Sequence, residues 1–223
     1  MPSPTTENYL KTIYVLAERG GGDARVRTGD LAQELNVTPG TVTTMIRGLA
    51  KRELVQYESR KGVRLTEPGR VQALKVLRRH RLIELFLVEV MRMDWSEVHE
   101  DAEALEHAVS DTLVERMADM LGNPLHDPHG SPIPTRGSVM PPAAWTSMDQ
   151  VAPGRYLITR VNDHDASSLE WMSSNGLKPG VEIELLSTDP RAGAVFLSVC
   201  NTDTQTALGI EVARRIGVEP IGV

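Results

Sequence analysis

The sequence predicts a mainly α N-terminal half, with a helix-turn-helix, a β-hairpin wing and a pair of long helices, followed by a small all-β barrel. Three observations carry this expectation. Two short amphipathic segments, 28–35 and 39–51, are separated by only Asn36-Val37-Thr38. A basic, glycine-containing turn, Ser59-Arg60-Lys61-Gly62, lies between two strand-like runs. Seven prolines between positions 124 and 154 then divide helical sequence from strand-like sequence.

Residues 5–18 place Tyr9, Leu10, Ile13, Leu16 and Ala17 at helical spacing, and Gly20-Gly21-Gly22 stops that helix. The segment Thr28 to Leu35 has one apolar face of Leu31, Ala32 and Leu35, and Pro39 to Lys51 turns Val42, Met45, Ile46 and Leu49 inward. Thr38 is a natural N-cap and Pro39 suits the first helical position. A three-residue link forces a sharp crossing, which is helix-turn-helix spacing. Leu54 to Glu58 and Val63 to Leu65 then read as two strands around the basic turn, a wing.

A long helix is expected from Thr66 to about Met91 and another from about Ser96 to Leu121, closed by Gly122-Asn123-Pro124. The proline-dense stretch reads as a linker. Beyond it, Arg155 to Val161, Val181 to Ser187 and Ala194 to Val199 read as short strands, with Lys178-Pro179-Gly180 as a turn. The domain boundaries expected are 1–74 for the winged helix, 75–140 for the helical pair with its linker, and 141–223 for the barrel.

The chain has 223 residues, 40% of them hydrophobic, and one cysteine, Cys200. That count excludes an internal disulfide framework and a thiolate-rich metal cluster, and fits a reducing cytoplasm. The start MPSPTTENYL lacks a signal pattern. The apolar run Leu82 to Met91 is interrupted by Glu84 and Glu89, well short of the ~20 residues a membrane span needs. A soluble cytoplasmic protein with no membrane partner is expected. The net charge is −6, but unevenly placed: residues 1–82 hold 15 Lys and Arg against 8 Asp and Glu, and the remainder 9 against 22. One module suited to phosphate and another rich in carboxylates for cations would give this asymmetry; chance segregation is the alternative.

In a helix-turn-helix the N-terminal part of the second helix meets base edges, which here means Thr38, Gly40, Thr41, Thr43 and Thr44. Threonine offers a hydroxyl and a methyl without the bidentate selectivity of Arg on guanine. Arg27, Arg47, Lys51, Arg60, Lys61 and Arg64 are candidates for phosphate contact. A protein-interaction role for the winged helix is the competing reading.

The ligand-type residues concentrate in one stretch. His80 and Glu84 are spaced i, i+4, and His99, Glu103, Glu106 and His107 fall at i, i+4, i+7, i+8, so a helix puts each set on one face. A lone His is more often structural, but two complementary faces of imidazole and carboxylate favour a cation. Glu103-Ala-Leu-Glu106-His107 resembles the inverted zinc-protease motif but has Glu where its first His is required, so an enzyme is not expected. His126 and His129 sit in the proline-rich loop and are read as structural.

Taken with Thr6-Glu7-Asn8-Tyr9-Leu10-Lys11-Thr12-Ile13-Tyr14, Arg79-His80-Arg81-Leu82, Val98-His99-Glu100 and Pro128-His129-Gly130-Ser131-Pro132-Ile133-Pro134, these features closely resemble the diphtheria toxin repressor family, which includes iron- and manganese-dependent regulators. The resemblance spans nearly the whole chain. It implies an SH3-like C-terminal barrel, a helical metal-binding and dimerisation domain, and a homodimer on a double-stranded, palindromic DNA operator, with no small-molecule substrate. By the same resemblance Asn8, Glu103, Glu106 and His107 match a primary regulatory site, His80, Glu84 and His99 an ancillary one, and Asp165, with Ser168 beside it, the barrel's oxygen ligands to the latter. Iron-type members carry Met and Cys where this chain has Asn8 and Glu103. An amide oxygen, two carboxylates and one imidazole suit Mn(II) first, with Fe(II) the alternative and Co(II) or Zn(II) able to bind in vitro. Lys11 replaces a Glu of manganese-type members, which argues for separated sites rather than a two-metal cluster. The expected function is metal-dependent repression of metal-homeostasis genes; the rival is a winged-helix regulator sensing an organic ligand.

Overall fold

The structure is a computed structural model describing residues 3–22, 24–142, 144–162, 165–200, 202 and 205–222. Its contacts divide into two units. The first comprises residues 1–80 and 134–140, the second 81–133 and 141–223.

In the first unit α1 (Pro4–Arg19) starts where Ser3 caps it, accepting from the Thr6 N–H, and ends at Gly20. Helices α2 (Thr28–Glu34) and α3 (Pro39–Lys51) follow. Thr38 Oγ1 accepts from the Thr41 N–H at 3.2 Å, and Pro39 takes the first turn, where it removes no internal hydrogen bond. Strands β1 (Val55–Glu58) and β2 (Gly62–Leu65) pair antiparallel, Val55 opposite Leu65, to make the predicted wing. Leu10, Ile13, Leu31, Ile46, Leu49 and Leu74 are fully buried within one cluster, which is the apolar faces of the amphipathic helices turned together.

The wing is held at its base. Val26 and Val63 exchange both backbone hydrogen bonds, at 2.8 and 2.9 Å, which adds a third chain segment to the hairpin. Gly62 makes this possible: its φ is +105°, and a Cβ there would stand 2.4 Å from the Val26 carbonyl oxygen.

Helix α4 (Glu67–Glu89) runs through the boundary at residue 80. The single helix expected from Ser96 to Leu121 is instead two, α5 (Val98–Leu105) and α6 (Asp111–Met120). Ser110 is the reason. It adopts an extended conformation and its hydroxyl accepts from the Leu113 N–H, so it starts a new helix where apolar periodicity alone suggests continuity.

The remaining elements are β3 (Thr146–Ser147), β4 (Gly154–Val161), α7 (Ala166–Ser174), β5 (Glu182–Asp189), β6 (Ala194–Val199), β7 (Gln205–Gly209), α8 (Ile210–Ala213) and β8 (Ile216–Pro220). The strands form one antiparallel sheet in the order β3-β8-β4-β5-β6-β7, with a bulge between Leu185 and Ser187. The three expected strands are present, and Lys178 to Gly180 is a turn. Strands β3, β7 and β8 and both helices escape the sequence reading because each is short and none has strong apolar alternation.

The segment expected to be a linker is packed in its first part. Asp127, His129, Ser131 and Ile133 are buried. Asp127 Oδ1 accepts from the backbone N–H groups of His129 and Ser131, and the Val161 N–H on β4 donates to the His129 carbonyl at 2.8 Å. The backbone is satisfied by side-chain-capped turns together with a short antiparallel bridge of His126 to Pro132, in which the Asp127 and Ile133 N–H groups donate to the Ser131 and Leu125 carbonyls.

Gly62→Ala should cost about 2 to 3 kcal/mol, since it combines an unfavourable φ with a backbone clash. Gly48→Ala, in α3 with no atom near the added methyl, should stabilise by about 0.5 to 1 kcal/mol. Thermal melts of both variants test this, and equal effects would contradict it.

Candidate metal centre and nucleic-acid interface

Helix α4 carries His80 and Glu84 one turn apart, both buried. A carboxylate of which 3% is exposed needs compensation. Glu84 Oε1 lies 3.1 Å from His99 Nδ1 on α5, and Glu84 Oε2 lies 3.8 Å from His129 Nδ1. The structure therefore brings two of the predicted ancillary residues, Glu84 and His99, together, with His129, read from the sequence as structural, buried beside Glu84 and 3.0 Å from the Trp95 carbonyl through its Nε2. Glu84, Asp127 and His129 offer ligand atoms within 4.8 Å of one another. The Pro-His-Gly motif was the available signal for His129; a loop with no helical period gave no way to aim its ring.

Asp127 is less suited to coordination than the other two. Both its oxygens are engaged, Oδ1 by two backbone N–H groups and Oδ2 by Arg81 Nε at 3.3 Å. Burial raises its pKa above the usual carboxylate value, against the opposing charge of Arg81. Arg81 also donates to the Pro132 carbonyl, so this pair fastens the turn to α4.

The predicted primary residues are divided between the two units. Asn8 lies on α1 in the first. In the second, Glu103 is on α5, 3.8 Å from His99; Glu106 is the residue after α5, fully buried; and His107 follows in the turn with Nε2 3.4 Å from Glu106 Oε1. Because the helix ends at Leu105, Glu106 and His107 are not placed by an unbroken helical face, although the Glu106 N–H still reaches the Ala102 carbonyl at 2.9 Å. Asp165 caps α7, Oδ1 accepting from the Ser168 N–H at 2.8 Å and the Ser167 hydroxyl at 2.6 Å. These donors are oxygens and imidazole nitrogens throughout, a set that fits a divalent cation.

On the first unit, Arg27, Thr38, Gly40, Thr41, Thr44, Arg47, Lys51, Arg60, Lys61 and Arg64 are exposed, and Thr43 is partly so. Thr43 and Thr44 donate their hydroxyl hydrogens back to the carbonyls of Pro39 and Gly40, at 2.9 and 3.0 Å. Arg60 stands at the wing turn with φ +66°. Lys61 pairs with Glu58 at 2.7 Å, and hydrogen bonding to Lys61, then the charges of Arg25 and Lys61, hold the Glu58 carboxyl below its ordinary pKa. Arg64 donates to Gln56 at 2.8 Å.

A helix-turn-helix with a wing, followed by helices that gather buried carboxylates and imidazoles, has the elements that a metal-responsive DNA-binding protein requires. Family models cover the chain in three parts: the iron dependent repressor N-terminal DNA binding domain matches residues 1–63, the iron dependent repressor metal binding and dimerisation domain 66–135, and the FeoA domain 146–220. The iron-dependent repressor IdeR of Mycobacterium tuberculosis is 30% identical over 230 residues, 97% of each chain. A solved manganese-dependent transcriptional repressor in complex with manganese is 34% identical with a TM-score of 0.87, covering 97% of this chain and all of that one. The manganese regulator SloR is 35% identical with a TM-score of 0.79, over 99% of this chain and all of its own. The chain belongs to the iron-dependent, or diphtheria toxin, repressor family, whose members are transcriptional repressors and not enzymes. Its DNA-binding and dimerisation domains make a DNA operator and a second copy of the chain its partners. Among the described residues no helix is long and apolar enough to cross a membrane.

Arg81→Met should lower stability by about 3 to 5 kcal/mol, because it strands the buried Asp127 carboxylate. Adding Asp127→Asn should restore part of the loss. Urea unfolding of both in chelator checks this, and a double variant as unstable as Arg81→Met alone would contradict it.

Proposed function

We propose that this repressor is activated by Mn(II), binds a palindromic operator as a homodimer in the cytoplasm, and controls genes of metal homeostasis. The observation that carries the metal reading is the pairing of buried carboxylates with imidazoles, Glu106 with His107 and Glu84 with His99 and His129. Asn8, Glu103, Glu106 and His107 are assigned to a primary site, and His80, Glu84 and His99 to an ancillary one, with Asp165 as an added oxygen donor. This follows their match to the family motifs. A bound divalent ion supplies the positive charge that lets these carboxylates sit together. Oxygen-rich donors without sulfur support Mn(II) over Fe(II). Similarity to an iron-dependent repressor, 30% identical in an alignment covering 97% of the chain, keeps Fe(II) as the second reading.

Thr38, Gly40, Thr41, Thr43 and Thr44 are assigned to the base edges, and Arg27, Arg47, Lys51, Arg60 and Lys61 to phosphates. The exposed Leu113 and Met120, with the partly buried Met117 between them, form an apolar stripe on α6 within the span matched by the dimerisation domain, and the second copy is assigned to it. Carboxylate repulsion without metal leaves the two recognition helices of the dimer at variable spacing. Relief of that repulsion fixes them at operator spacing.

Anisotropy of a labelled operator, titrated with Mn(II) or anaerobic Fe(II) on chelator-stripped protein at fixed salt, tests this reading. Activation by Mn(II) at micromolar levels, with Fe(II) no better, is expected, and binding indifferent to metal and chelator would overturn it. Glu103→Ala should abolish metal-dependent binding. Arg60→Ala should instead weaken binding while reducing the salt slope by about 0.9, one phosphate contact. A fully metal-responsive Glu103→Ala protein would refute the site assignment.

A further inference from the structure

Residues 54–66, the wing, and residues 25–26, stapled to it, carry four cations, Arg25, Arg60, Lys61 and Arg64, and one carboxylate, Glu58. All lie inside the first contact unit. The cations are not equivalent. Glu58 reaches two of them with different oxygens: Oε1 pairs with Arg25, and Oε2 lies 2.7 Å from Lys61 Nζ. Arg64 Nε donates to Gln56 Oε1 at 2.8 Å, a neutral partner that leaves its charge uncancelled. Arg60 stands exposed at the turn, with φ +66°.

Arg25 fixes the carboxylate. Its side chain is largely covered, 24% exposed, and its neighbour Val26 exchanges both backbone hydrogen bonds with Val63. Glu58 Oε1 therefore meets an anchored partner, and Oε2 is left to the turn, where Lys61, 71% exposed, folds back to it. An exposed pair of this kind adds little stability. Its consequence is for charge: a lysine ammonium held by a carboxylate brings no net charge to a phosphate, and non-specific affinity for DNA is built from such charges.

The two pairings of Glu58 also make an exchange cheap. When Lys61 leaves, Glu58 still faces Arg25, so no carboxylate is abandoned. Lys61 meanwhile trades one anionic oxygen for another.

We propose that Glu58 is a specificity-determining residue, which withholds Lys61 from DNA of arbitrary sequence and releases it on the operator. On arbitrary DNA no base contact fixes the register, and Lys61 keeps its carboxylate. On the operator, base contacts of α3 hold the phosphates in place beside the wing, and Lys61 exchanges Glu58 for one of them. The proposal rests on the assignment of the wing to phosphates, and adds a role for its acidic residue.

The test uses full-length protein in excess Mn(II) and two labelled probes, a duplex of randomised sequence and an operator selected from a randomised pool by the wild-type protein. Anisotropy across a salt series gives affinity and salt slope for wild type, Glu58→Gln, and Glu58→Gln with Lys61→Met. Glutamine keeps a side-chain oxygen to accept from Arg25, so the hairpin stays seated. On the randomised duplex Glu58→Gln should bind about 5- to 10-fold more tightly at about 0.1 M salt, with a slope steeper by about 0.9, and the double variant should match wild type. On the operator Glu58→Gln should keep the wild-type slope, and the double variant should lose about 0.9 of it.

A double variant with a shallower slope than wild type on the randomised duplex means that Lys61 is never withheld, and overturns the proposal. A steeper slope for Glu58→Gln on both probes overturns the release on the operator. A lower melting temperature in Glu58→Gln with wild-type affinity and slope on the randomised duplex makes Glu58 a brace for the hairpin and overturns it equally. If neither Arg60→Ala nor the double variant changes the operator slope, the assignment of the wing to phosphates fails and the proposal falls with it; if Arg60→Ala lowers that slope while Glu58→Gln matches wild type on the randomised duplex, the withholding alone is refuted.

Discussion

A carboxylate taken out of water must be given a counter-charge or donors, and the second half of this chain is organised around meeting that requirement several times over. Glu84 sits between two imidazoles, Glu106 faces His107, and Asp127 is engaged by Arg81 and two backbone N–H groups. The three solutions differ in kind. The Arg81–Asp127 pair is complete within the protein and serves to fasten a turn. Glu84 and Glu106 instead lie against imidazoles, a pairing of side-chain types that also serves divalent cations. The difference separates an arginine-fastened polar network from one made of ligand-type side chains.

The two networks are interleaved along the chain. Arg81 lies between His80 and Glu84 on α4, and Asp127 lies two residues before His129. Fastening the turn at Asp127 therefore also sets where the His129 ring enters, and the Val161–His129 backbone bond carries that placement to β4. Scaffold and site share backbone here, so a substitution meant to probe stability also reorients a ligand-type side chain.

Most of the first unit was legible in the sequence because its signals are local. Thr38, Pro39 and the three-residue link define the crossing of α2 and α3, and of the residues the apolar periods of α1 to α3 turn inward, Tyr9, Leu10, Ile13, Leu31, Ala32, Val42, Ile46 and Leu49 are buried, with Leu16, Ala17, Leu35 and Met45 packed partly buried against them. The break at Ser110 was missed because a hydroxyl cap competed with an apolar pattern that continues through it. His80, Glu84, His99, Glu103, Glu106 and His107 were found by helical spacing, yet only part of that spacing survives in the fold. The place of His129 was out of reach for another reason. It comes from contacts between segments distant in sequence, to Glu84 and to the Trp95 carbonyl, and no period within its own segment encodes them. Strand β7 was missed because an edge strand can be short and polar and still be held by its neighbour, and β8 because its buried run Ile216-Gly217-Val218 is too short to give a period.

The stapling of the wing to Val26 bears on how the DNA-binding surface spends its contacts. A free two-stranded hairpin is marginal in water and would have to be ordered on the operator, at a cost in chain entropy for each residue immobilised. Here the extra strand segment and the close approach at Gly62 order the hairpin beforehand. On the proposed assignment of Arg60 and Lys61 to phosphates, their charges arrive already placed, and the attraction they provide goes into holding the nucleic acid rather than into folding the loop that carries them.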